Sequence, residues 1–93
     1  MTKSITTKEL LDYCEPKLIE RFGKNTALAK FELSPEARFK APKINGEKPI
    51  WSIVTLGSVA FGYTVHGAGK TPKRALEAAG LLGWVKDAEK LKS

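Results

Sequence analysis

Glycines followed by Lys-Thr, as in Gly67-Ala68-Gly69-Lys70-Thr71, are residue types that can surround a phosphate. Glycine lets backbone N–H groups approach an anion closely, and lysine supplies charge. A nucleotide-binding phosphate loop needs G-x-x-x-x-G-K-[ST]. Counting back from Gly69, the first glycine should stand where Thr64 is, and Pro72 removes a further N–H donor just beyond. ATP and GTP are thereby set aside, and the question becomes which other phosphate Lys70, Lys73 and Arg74 could meet. Thr71 is a good helix N-cap and Pro72 suits the first helical position. The cations therefore gather at a predicted helix start, where unpaired N–H groups and the helix dipole favour an anion. No acidic residue lies between Glu47 and Glu77 to offset them.

Other chemistry is thinly supplied. Cys14 and His66 are the sole cysteine and histidine, too few for a disulfide or a zinc site. Cys14 sits at helical apolar spacing and reads as core; His66 reads as a strand-end residue. No paired carboxylates and no Ser-His-Asp set are visible, so an enzyme is not expected and no cofactor or metal is implied.

The 93 residues, 42% hydrophobic and 28% charged, describe one globular domain over 1–93 with a flexible start over 1–5. No apolar run approaches the roughly 18 residues a membrane helix needs, and the N-terminus lacks the apolar core of a secretory signal. With a lone cysteine, this predicts an intracellular protein, cytoplasmic or nuclear, with no membrane partner. A formal charge of +6 and a pI near 9.6 favour a polyanionic partner.

The elements that must position these residues follow from periodicity. Thr6 and Glu9 form a capping-box pattern ahead of Leu10, Leu11, Cys14, Leu18 and Phe22. They predict a helix from about Thr7 to a C-cap at Gly23, kinked or split at Pro16. "TALAKFELS" alternates as a half-buried strand. Residues 35–49, with three prolines and Asn45-Gly46, predict a long basic loop carrying Arg38, Lys40 and Lys43. Two further strands follow, joined by a two-residue turn at Gly57-Ser58. A last helix should run from Pro72 to about Lys90 on a stripe of Ala75, Ala78, Ala79, Leu82 and Val85. Leu76, Gly80, Gly83 and Trp84 fall on its flank or back, where either the first helix approaches closely or another protein docks. In the second strand Trp51 and Ile53 oppose Ile50, Val54 and Leu56, so both faces are apolar and one is spare for a protein partner. The expected fold is a two-layer α+β domain, α-β-β-β-α, with a three-stranded antiparallel sheet and both helices on one face.

That order, together with Gly67-x-Gly69-x-Thr71-x-Lys73-x-Ala75 and then Ala78-Ala79, resembles the double-stranded RNA-binding domain family. Its last helix opens with G-x-G-x-S-K-K-x-A-K and continues into paired alanines. "TKELLDYC" is similar to the first helix of such domains in RNA helicases. The resemblance implies binding of A-form RNA by shape, across two successive minor grooves and the intervening phosphates. Lys73 and Lys70, assisted by Arg74, would grip phosphates; the loop residues Arg38, Lys40 and Lys43 would enter one minor groove, and the first helix, through Lys8, Glu9 or Asp12, the next. The family's three motif lysines fall here on Pro72, Lys73 and Leu76, and its Gly-Pro-x-His loop has no histidine counterpart. The alternative is a degenerate member that docks a protein or dimerises through Trp51, Ile53, Leu76 or Trp84. A third reading is a module of a larger RNA-processing enzyme.

Overall fold

The structure, a computed structural model, describes residues 5–33, 42–57 and 62–92. The elements are helix α1 (Thr7–Phe22), strands β1 (Thr26–Glu32), β2 (Lys43–Ile44), β3 (Ile50–Leu56) and β4 (Tyr63–Gly69), and helices α2 (Pro72–Ala78) and α3 (Leu82–Lys92). The α+β class is as expected, but among the described residues the sheet has four strands and the helices number three. The sheet is antiparallel throughout, in the order β2-β1-β3-β4.

α1 begins as the capping box predicts: Glu9 N–H donates to Thr6 Oγ1, and Thr6 N–H to Glu9 Oε1, each at 3.2 Å. It ends at Gly23, which has φ 116° and donates its N–H to Ile19 O at 2.8 Å. Pro16 neither splits nor ends the helix. Its ring is on the exposed side, where solvent can take the carbonyl that it deprives of a donor.

The predicted loop over 35–49 contains the extra strand. Asn45 takes φ 57° and donates its N–H to Lys30 O at 2.7 Å, folding Lys43 and Ile44 back to pair with Glu32 and Phe31. β3 and β4 pair from Leu56↔Tyr63 upward, closed by Gly57 N–H donating to Gly62 O at 2.8 Å. The connection therefore exceeds the two residues expected, and Ser58 to Phe61 lie outside the described residues. β4 carries one extra residue opposite the step from Ile53 to Val54, a bulge at His66. His66 is thus mid-strand, where Gly69 and not His66 ends the element.

The predicted long last helix is two helices. Gly80, at φ 76°, allows Gly80 N–H to bond Glu77 O at 3.0 Å and Leu81 N–H to bond Leu76 O at 2.8 Å, a Schellman turn that terminates α2. The turn resets the helical phase, so the 100° count from Ala75 does not carry across it. The core consequently takes Ala75, Leu76, Leu81, Val85 and Ala88, while Ala78 is exposed and Leu82 half-buried. A Cβ on Gly80 or Gly83 would meet nothing within 4 Å, so neither glycine serves a close helix approach. Nothing in the structure explains Gly83.

α1 and α2 cover one sheet face, and α3 packs against both of them. Leu10, Cys14 and Leu18 of α1 join Ile53, Ala75, Leu76 and Val85 in a single cluster. Strand alternation turns Ile50, Ser52, Val54 and Leu56 to the other face. The face assignment within β3 therefore corrects the expectation: Trp51 and Ile53 are helix-facing.

Candidate nucleic-acid interface

α1, α2 and α3 meet at the end of the sheet where β4 runs out. Thr71 caps α2, accepting the Arg74 N–H at 3.1 Å, and Pro72 occupies the first turn. Two recesses flank this short helix. The first, ≈ 310 Å³, has Leu10 and Val85 at its base, with Thr6, Thr7, Thr71, Lys73 and Glu89 around it. The second, an open groove of ≈ 550 Å³, runs between the end of β4 and α2 and holds Lys70 and Arg74 with Glu77.

The glycines of β4 explain why the two elements lie so close. A Cβ on Gly67 would stand 2.5 Å from Ala75 O and 2.8 Å from Ala79 N, and one on Gly69 would strike Arg74 Cβ and sit 2.9 Å from Ala75 N. Their role is to let α2 press on the strand, and they do not wrap an anion.

Lys70, Lys73, Arg74 and Lys8 are all exposed, with Lys8 in the first turn of α1. Lys43 is exposed on the opposite edge strand, three strand spacings from β4, or roughly 14 Å. Arg38 and Lys40 lie outside the described residues. α2 has only seven residues, so its dipole is short and partly offset by its own C-terminus. Attraction of an anion here rests on the side-chain cations. Their field is also less open than the sequence implies, because Glu77 shares the groove of Lys70 and Arg74, and Glu89 shares the cleft of Lys73. Glu89 escaped the sequence reading because α3 brings it in from 16 positions beyond Lys73; its spacing four after Val85 was the available signal.

The four residues expected at a protein interface are placed differently. Leu76 and Ile53 have no exposed surface, since both fill the core between sheet and helices. Trp51 and Trp84 are half-buried against that core. Lys30 Nζ lies 5.7 Å from the Trp51 ring and Lys17 Nζ 5.9 Å from the Trp84 ring, cation–π contacts that engage both indoles within the chain.

Away from the recesses, His66 stacks on Phe22 with ring centres 3.9 Å apart. Its Nε2 is 2.6 Å from Thr55 Oγ1, which is 2.7 Å from Thr26 Oγ1. Burial lowers the His66 pKa below its ordinary 6.5. Cys14 has no exposed surface, and burial pushes its thiol up to about 11 although Lys17 acts in the opposite direction. Among the described residues no three His, Cys, Asp or Glu side chains gather as a metal site, and no helix is long and apolar enough to cross a membrane. Compared with protein-family models, curated proteins and solved structures, the chain finds no match in any of the three.

Proposed function

We propose that the chain binds double-stranded RNA through shape and phosphate contacts, with little sequence preference. The observation that carries this reading is the convergence of the starts of α1 and α2 on one cleft, with Lys73 in that cleft and Lys70 and Arg74 in the neighbouring groove. Cations carried on one rigid strand–helix junction can meet a phosphate backbone at low ordering cost. Lys43 on the far sheet edge supplies a second point of contact for a ligand that extends across the end of the domain. The G-x-G-x-T-x-K-x-A resemblance supports the same ligand, and the excess of cations over acids supports a polyanion.

A duplex of about 16 base pairs should bind with an affinity that falls steeply between low and moderate salt, and Lys73→Glu should weaken it about tenfold at low salt with the thermal unfolding unchanged. A flat titration at low salt removes the proposal.

A second reading, protein docking, is favoured by one observation. Ile44 is 61% exposed, Val65 41% and Leu56 40%, and register places them with Ile50 on the sheet face away from the helices. The described strand positions on that face carry no charge; Lys30, Glu32 and Lys43 point the other way. Val65→Lys should then abolish self-association or partner capture without touching RNA binding, and a wild type that sediments as a strict monomer, captures no partner and still binds RNA would remove this reading.

A further inference from the structure

α3 buries Val85 and Ala88, and Glu89, four residues after Val85, follows on the same flank one turn later. That spacing sets Glu89, a half-buried residue, in the wall of the cleft that Lys73 also lines. A recess of ≈ 310 Å³ is roughly 8 Å across, about one Debye length at physiological salt. Both charges therefore act on anything that enters. The remaining polar lining, Thr6, Thr7 and Thr71, is hydroxyl and can donate or accept, so it leaves the sign of the cleft to the charged groups. Glu9 stands in the first turn of α1, where its carboxylate accepts the Thr6 N–H, and it does not line the cleft.

Resting on the RNA-binding reading, we propose that Glu89 limits the affinity of the interface: α3 places an acidic residue in the same cleft wall as Lys73, where it opposes phosphate between α1 and α2. Among the described lining residues Lys73 and Glu89 carry opposite charges in the cleft, whereas Lys70 and Arg74 outnumber Glu77 in the neighbouring groove. Removing the carboxylate leaves the Lys73 charge unopposed among those lining residues.

The test is titration of a duplex RNA of about 16 base pairs against wild type, Glu89→Gln and Glu89→Ala at two salt concentrations, with thermal unfolding of each chain. Both variants should bind about fivefold more tightly at low salt, with the gain shrinking at higher salt. The gain should vanish in a Lys73→Gln background. Asp87→Asn removes the same charge from an exposed position of α3 that lines neither recess, and should give a clearly smaller gain. Equal affinities for wild type and both Glu89 variants, with RNA binding intact, would overturn the proposal and leave Glu89 as a packing residue. A gain that persists without Lys73, or that Asp87→Asn reproduces, would overturn it too by reducing the effect to net charge. Absence of binding by every chain at low salt would instead remove the RNA reading itself, and the role of Glu89 with it.

Discussion

The two recesses beside α2 contain the same chemistry in different settings. The cleft between α1 and α2 pairs Lys73 with a carboxylate delivered by α3, over a base of buried Leu10 and Val85. The groove along β4 pairs Lys70 and Arg74 with Glu77, an exposed residue of the same helix turn. In the first, the opposing charge is held by packing of a distant element; in the second, it sits on a solvated side chain free to take other rotamers. A charge held in place by packing acts more strongly on a ligand than one on a side chain free to turn away. A charge count along the sequence treats the two alike, and the fold does not.

Both recesses depend on the close seating of α2 on β4, so the largest expected effect comes from breaking it. Gly67→Val would drive a branched side chain into the backbone at Ala75 and Ala79, a clash with no flexible neighbour to yield. Destabilisation of about 3 kcal/mol is expected, read as a lowered denaturant midpoint. RNA binding should fall with the folded fraction. A Gly67→Val chain as stable as wild type would separate the recesses from the strand–helix contact.

Titration provides the next test, since His66 and Cys14 line neither recess. Cys14 is raised from 9.0 to about 11 in the folded state, so its contribution is complete below pH 9 and lost as pH rises toward 11, by on the order of 2 kcal/mol. His66 is lowered by burial. Its contribution is complete above its ordinary value near 6.5 and declines as pH falls through the folded value. Unfolding free energy measured across pH should therefore drop at both ends. Cys14→Ala should flatten the alkaline limb and His66→Phe the acid limb, and unchanged limbs would show that other groups govern them.

A smaller loss is expected from the cap of α2, the helix that both recesses flank. Thr71→Ala removes the acceptor for the Arg74 N–H at the start of a seven-residue helix, at a cost of about 1 kcal/mol. Because α2 is short, fraying there should weaken RNA binding beyond the loss of stability. Serine at this position should restore both, and failure of that rescue would point to the threonine methyl instead of the hydroxyl.

What the sequence made legible, and what it did not, divides along the range of the interactions involved. The capping box at Thr6 and Glu9, the Thr71-Pro72 start and the strand alternation are set within a few residues, and each is seen in the fold. The break at Gly80 was hidden because two glycines in an alanine-rich helical pattern do not announce which one takes a positive φ. Ile53 and Leu76 were misplaced for a related reason: periodicity assigns residues to a face but not to the partner that covers it. The bulge at His66 arises from pairing across strands, which no local pattern carries. For the site, Lys70, Lys73 and Arg74 were visible as a cluster, while their division between two recesses followed from α1 and α3 packing on either side.

The smallest predicted effect is the one that tests the comparison most directly. Glu77→Gln removes one negative charge, as Glu89→Gln does, and from a position close to two cations instead of one. If proximity along the helix governed, it would have the larger effect on RNA affinity. Glu77 is exposed at the mouth of an open groove, where water and salt screen it and its side chain can turn aside when phosphate arrives. The gain at low salt should therefore stay below about twofold, within the range of exposed ion pairs, and disappear at moderate salt. A Glu77→Gln gain equal to that of Glu89→Gln would mean that the packing of α3 adds nothing to the field of the interface, and the two recesses would reduce to one basic surface.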